Sequence, residues 1–278
     1  MTTQSQSEYW NSDAGARWVR QQPIMDALLR AHGERALAAA GFGEGAAVLD
    51  VGCGCGATSL AAATRVGPDG LVVGVDISAP MLALARERAA TEHLTNVRFE
   101  LGDVQTHALD EGRYDAVVSR FGVMFFTDPP AAFARLRTAL RAGGRFSAVC
   151  WRAPSENPWI SLPIEVTSGF LTTEPVDPDA PGPFSLARRE RTAALLARAG
   201  FGGVNVEALD FPLTLGQTAE EAARLMVVLG PIGRVMLSAA EELRQKAIDA
   251  IAAALGPYQT EAGVRLPSGA WLVTAGAD

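Results

Sequence analysis

The sequence predicts an α/β fold: a doubly wound, mostly parallel sheet of seven strands with helices on both faces. Three observations carry that expectation. From residue 46 onward, apolar strand-like runs alternate with amphipathic helical runs, a pattern that gives parallel strands joined by helical crossovers. Residues 48–57, VLDVGCGCGA, place glycines at 52, 54 and 56 between a buried strand and an alanine-rich helix start. Polar residues recur where strands should end, at Asp50, Asp76, Asp103 and Ser119, and open α/β sheets bind ligands beyond the carboxyl ends of their strands.

Taken in order, residues 8–40 hold Trp10, Trp18, Val19, Ile24, Met25, Leu28, Leu29 and Leu37 at helical spacing, interrupted by Pro23. This predicts one or two helices, an N-terminal helical cap over 1–40. Gly41, Gly43 and Gly45 end that segment. A core over 46–151 follows: strand 46–51, helix from 57, strand 71–75, helix from 79, strands 97–101 and 114–119, helix 129–141 and strand 145–150. Residues 152–187 carry seven prolines and little periodicity, so a loop insertion is expected. A helix at 188–200 and a strand at 204–211 come next. Two helical stretches over 217–255, broken by Gly230 and Pro231, suggest a helical lid spanning 217–258, and GAWLVTAGA supplies the last strand. No internal repeat is visible, and 1–278 reads as a single domain.

Composition narrows the partners. A net charge of −7, from 31 acidic and 24 basic residues, offers no general attraction to a polyanion, so nucleic acid is disfavoured. The polar N-terminus and the absence of any apolar run of about 18 residues give no sign of a signal peptide or membrane span. Cys53, Cys55 and Cys150 are too few and wrongly placed for a disulfide framework or a metal site, which fits a cytoplasmic protein. Lys246 is the only lysine and reads as a solvated side chain.

Glycines at alternate positions free the backbone of the 52–56 loop and leave no Cβ between main chain and ligand. GxGxxA also fits this stretch as Gly52, Gly54 and Ala57, a dinucleotide-type pattern, so the neighbouring residues must decide. Asp50, Gly52, Gly54 and Gly56 reproduce the D-x-G-x-G-x-G motif. GVDIS at 74–78, GDV at 102–104, YDAVVSRFGVMFF at 114–126 and LRAGGRF at 140–146 follow in register. The sequence thereby resembles the class I S-adenosylmethionine-dependent methyltransferases, closely over 46–151 and in topology elsewhere.

That resemblance implies a Rossmann-like fold, S-adenosylmethionine as cofactor, S-adenosylhomocysteine as product, and methyl transfer to a small-molecule acceptor by in-line displacement. It implies that the loop Gly52, Gly54 and Gly56 passes along the methionine and ribose, with Asp50 toward the ammonium. Asp76 would accept the ribose hydroxyls and Ile77 cover the adenine. Asp103 would accept the adenine amino group, Val104 donate its backbone N–H to a ring nitrogen, and Ser119 lie beside the methyl group. Carboxylates accept from hydroxyls and amines but cannot donate, which suits this division.

No catalytic dyad stands out. His107 is a candidate base, and Arg120 a candidate for an anionic group or a salt bridge; His32 and His93 read as surface residues. Asp128-Pro129-Pro130-Ala131 only superficially matches the D/N-P-P-Y motif of enzymes that methylate bases, since it lies past the strand end and lacks the aromatic residue. It reads as a helix start. Trp151, Asn157, Trp159, Phe170 and Met226 are possible pocket residues. An NAD(P)-dependent oxidoreductase and a non-catalytic S-adenosylmethionine-binding protein remain alternatives, though no Tyr-x-x-x-Lys pair is present.

Overall fold

The computed structural model describes residues 5–172, 177, 179–236 and 239–277. In chain order the elements are α1 (Gln6–Trp10), α2 (Asp13–Arg20), α3 (Gln22–Ala40), β1 (Ala47–Val51), α4 (Ala57–Val66), β2 (Leu71–Asp76), α5 (Ala79–Thr91), β3 (Val97–Leu101), β4 (Tyr114–Arg120), α6 (Pro129–Ala139) and β5 (Leu140–Trp151). Then come α7 (Pro158–Thr167), α8 (Arg189–Arg198), β6 (Gly202–Asp210), β7 (Leu213–Gly216), α9 (Ala219–Met226), α10 (Gly230–Met236), α11 (Glu241–Ala254), β8 (Gln259–Thr260), β9 (Gly263–Leu266) and β10 (Gly269–Ala277).

Seven strands form one sheet in the order β3-β2-β1-β4-β5-β10-β6, as the alternation predicts. β1 pairs in parallel with β2 and β4, β2 with β3, and β4 with β5. The order reverses at β1, so β1 ends at the switch point where such sheets hold ligands. Register brings the strand ends level: Asp50 lies opposite Gly74 and Val118, and Asp76 opposite Leu101. Val48, Val72, Ala116 and Val118 pack with Leu37 and Ala40 of α3 and with Ala62, Ala63 and Val66 of α4. Leu60, Leu82, Ala85, Ala89 and Phe99 form a second cluster that includes Cys53. β2 is buried along nearly its whole length, as expected of a parallel strand covered on both faces.

The chain divides into two compact units. The first comprises residues 1–151, 179–208 and 271–278 and contains most of the large sheet; the second comprises 152–178 and 209–270. In the second, α7, α9 and α11 pack together, and β7, β9 and β8 form a small antiparallel sheet. Those strands have two to four residues each, too short to leave a periodic signal in the sequence. The Asn157 side chain anchors this unit, donating to the carbonyls of Arg152, Ala153 and Gly269 and accepting the Gly269 N–H. It is a fully buried structural residue there. Lys246 lies 4.3 Å from the Phe170 ring centroid, a cation–π contact.

Three expectations are corrected. Pro23 sits in the first turn of α3, where its missing N–H has no partner to lose, and a further break at Asn11 and Ser12, with Ser12 capping α2, gives three N-terminal helices instead of one or two. Residues 152–187 are not wholly loop, since Pro158 opens α7 and the Pro163 carbonyl accepts the Thr167 hydroxyl inside it. Gly230 and Pro231 open α10 instead of separating two helices. No helix among the described residues is long and apolar enough to cross a membrane.

Candidate functional site

β1 delivers Asp50 into the interior, 1% exposed. Its Oδ2 accepts the Ser59 hydroxyl at 2.6 Å, while Oδ1 has no hydrogen-bond partner among the described residues. Burial pushes its pKa up to about 6, against the opposing pull of the Ser59 donor and the Arg120 charge. The chain then turns through Gly52, Gly54 and Gly56, all at positive φ. A Cβ on Gly52 would lie 2.7 Å from the Gly122 Cα, so glycine is required both for conformation and for the close pass of the turn after β4.

Asp76 ends β2 beside this loop. Its Oδ2 accepts the Gly54 N–H and its Oδ1 the Ser78 N–H, each at 2.8 Å. Burial raises its pKa and the backbone donors oppose that shift. The Ile77 N–H is a third backbone donor to this carboxylate, which leaves capacity for a further hydroxyl donor. Asp103 accepts the backbone N–H of Gln105 at 2.9 Å and its side-chain amide as well. Gln105 Oε1 in turn accepts from Thr127 and from the Asp128 N–H, joining the ends of β3 and β4. Val104 is buried, and its carbonyl accepts the Arg135 Nε–H at 3.0 Å. Ile77 is partly buried beside Asp76.

Three of the candidate residues have partners within the protein, and Arg120 makes the salt bridge expected as one reading of it. The fully buried Ser119 hydroxyl donates to the Val51 carbonyl at 2.8 Å and accepts the N–H groups of Gly122 and Val123 at 3.2 Å. One donor and two acceptor sites are thereby filled, and the residue staples β4 to β1. His107 Nε2 lies 2.8 Å from Glu100 Oε2, an acid on the edge strand β3. Arg120 pairs with Asp26 of α3 at 3.4 Å; Asp26 also pairs with Arg88 at 2.9 Å, and Arg88 donates to the Cys55 carbonyl at 2.6 Å. Asp26 thus ties the glycine loop to α3 and α5. Asp128 caps α6 through the Ala131 N–H, as a helix start should.

His32 is corrected outright: it is fully buried, not a surface residue. Its imidazole packs 5.3 Å from Phe121 and 5.4 Å from Trp151, and those two rings stack at 3.9 Å. Burial, then the Arg120 charge, lowers its pKa to about 4. Positions 25, 29, 32, 36 and 40 share one buried face of α3, a spacing that could have revealed it. Phe121 holds φ +63°, uncommon for any residue with a side chain, where β4 leads into the next turn. Two surface clefts, of about 330 and 560 Å³, lie instead beside the first half of β5, both lined in part by Gly143 and Arg145. Among the described residues no group of three His, Cys, Asp or Glu is placed to hold a metal ion.

Residues 48–144 match the methyltransferase-domain family, covering β1 through the first half of β5. That matched stretch, about a third of the chain, is what this protein shares with the methyltransferase-domain family. Nocamycin O-methyltransferase of Saccharothrix syringae is 37% identical over 159 residues, 57% of this chain and 54% of that protein. Aklanonic acid methyltransferase of Streptomyces sp. (strain C5) is 37% identical over 111 residues, 39% of this chain and 50% of that one. The chain thus spans about half the length of these curated relatives. The crystal structure of YcgJ from Bacillus subtilis shares the fold, with TM-score 0.59 and 18% identity over 88% of this chain and 97% of that one. The methyltransferase core accordingly spans the glycine loop and the acids at the ends of β1, β2 and β3.

Proposed function

We propose that the protein transfers a methyl group from S-adenosylmethionine to a small-molecule acceptor. The observation that carries this reading is the cradle between Asp50 and Asp76. It joins a buried acid with an open oxygen, a glycine loop with no room for a Cβ at Gly52, and an acid that is held by the Gly54 N–H and keeps acceptor capacity. Asp50 suits the methionine ammonium, Asp76 and the partly buried Ile77 the adenosine, and Asp103 and Val104 the adenine edge.

When bound, the cofactor supplies an electrophilic methyl on a sulfonium, which an aligned nucleophile displaces in line. What this chain contributes is alignment and exclusion of water, and good alignment is worth about 7–11 kcal/mol. Neither His107 nor Arg120 is needed as a base when the acceptor is a neutral amine or an acidic hydroxyl. The name of the nocamycin O-methyltransferase relative favours testing oxygen acceptors first. Incubating the protein with S-adenosylmethionine and a panel of small hydroxylated aromatics and acids should yield S-adenosylhomocysteine and a product heavier by one CH₂, read by mass spectrometry. Saturable binding with no transfer to oxygen, nitrogen or carbon acceptors would favour the non-catalytic reading.

A further inference from the structure

The corner between α1 and α2 is tied to the turn behind β2. Asn11, which ends α1, donates its side-chain amide to the Ile77 carbonyl at 2.7 Å and accepts the Ala79 N–H at 2.9 Å. The amide thus meets the turn as a neighbouring strand would, donor to acceptor and acceptor to donor. Ser78 completes the attachment by donating its hydroxyl to the Trp10 carbonyl at 2.8 Å. Gly15 makes room for it: a Cβ there would fall 2.1 Å from the Trp10 carbonyl oxygen and 2.9 Å from Ser78 Oγ.

Trp10 carries the corner to the other side of the loop. Its ring lies edge to face with Phe125, in the turn after β4, at 5.3 Å, and with Trp18 at 5.9 Å. β2 and β4 are the two neighbours of β1 in the sheet. The corner is therefore anchored at the ends of both strands flanking the one that carries the glycine loop.

We infer that Asn11 is a positioning residue for the cofactor, acting through residues 77–79 on Asp76 and Ile77. This rests on the reading of those two residues as adenosine contacts. Asp76 Oδ1 accepts the Ser78 N–H, so a turn free to shift carries its carboxylate away from the Gly54 N–H. Asn11 is exposed, and its hydrogen bonds compete with water. Losing them loosens the turn and leaves the buried core intact.

Calorimetric titration with S-adenosylhomocysteine on wild type, Asn11→Ala and Gly15→Ala tests this, with melting temperatures taken without ligand and trypsin cleavage after Arg17 and Arg20 followed with and without it. Both variants should bind about tenfold more weakly. The ligand should shield Arg17 and Arg20 in wild type and leave them cleavable in Asn11→Ala. Wild-type affinity in Asn11→Ala overturns the inference, as does ligand protection that persists in it, whatever its melting temperature. Wild-type protein that binds no S-adenosylhomocysteine overturns the underlying functional reading instead.

Discussion

Ser59 donates its hydroxyl to Asp50 Oδ2 at 2.6 Å, across the glycine loop and from within the first turn of α4. A buried acid with a raised pKa depends on such a donor most when it is charged. Ser59→Ala should therefore destabilise the protein by about 1–3 kcal/mol at pH 8. The loss should shrink at pH 5, where Asp50 is mostly protonated. Denaturant unfolding at the two pH values checks this, and an equal loss at both would contradict it.

Asp50 and His32 should act oppositely on the pH dependence of stability. Asp50, raised from 3.8 to about 6, holds its proton more tightly when folded, so its contribution falls as pH rises from about 4 to 6. His32, lowered from 6.5 to about 4, holds its proton less tightly when folded, so its contribution grows as pH rises from about 4 to 6.5. His32→Gln should make stability fall with pH across that window relative to wild type, by up to about 1.4 kcal/mol per unit. Asp50→Asn should tilt it the other way. Unfolding free energies at half-unit intervals decide, and a slope unchanged in both variants would refute the assignment.

The glycines of the loop should not be equivalent. Alanine at Gly52 meets the backbone of Gly122 at 2.7 Å, while alanine at Gly54 meets only Met81 Cε, the free end of a flexible side chain, at 2.8 Å. Both carry the strain of a positive φ, roughly 1–2 kcal/mol. Gly52→Ala should lower the melting temperature more than Gly54→Ala, and the reverse order would mean that the turn after β4 gives way easily.

How much of this the sequence showed follows from the range of each signal. The parallel sheet, the glycine loop and Asp76 are local patterns, written in periodicity and glycine spacing, and they were legible. Asn11 on Ile77, Arg120 on Asp26 and Ser119 on Val51 join residues 66, 94 and 68 positions apart, which no spacing rule connects. Ser119 consequently reads as a ligand contact although its hydroxyl joins β4 to β1, and the salt bridge expected as one reading of Arg120 had no nameable partner. His32 was within reach, since its place on the apolar face of α3 follows from helical period alone.

Asp76 and the glycine loop are proposed to hold the adenosine end of S-adenosylmethionine. Calorimetric titration of wild type and Asp76→Ala with S-adenosylhomocysteine, and separately with NADH, addresses this most directly. Saturable binding of S-adenosylhomocysteine to wild type is expected, weaker by about a hundredfold in Asp76→Ala through loss of hydrogen bonds to a charged acceptor, with no heat from NADH. Equal affinity in the two proteins, or binding of NADH in place of S-adenosylhomocysteine, would contradict this assignment.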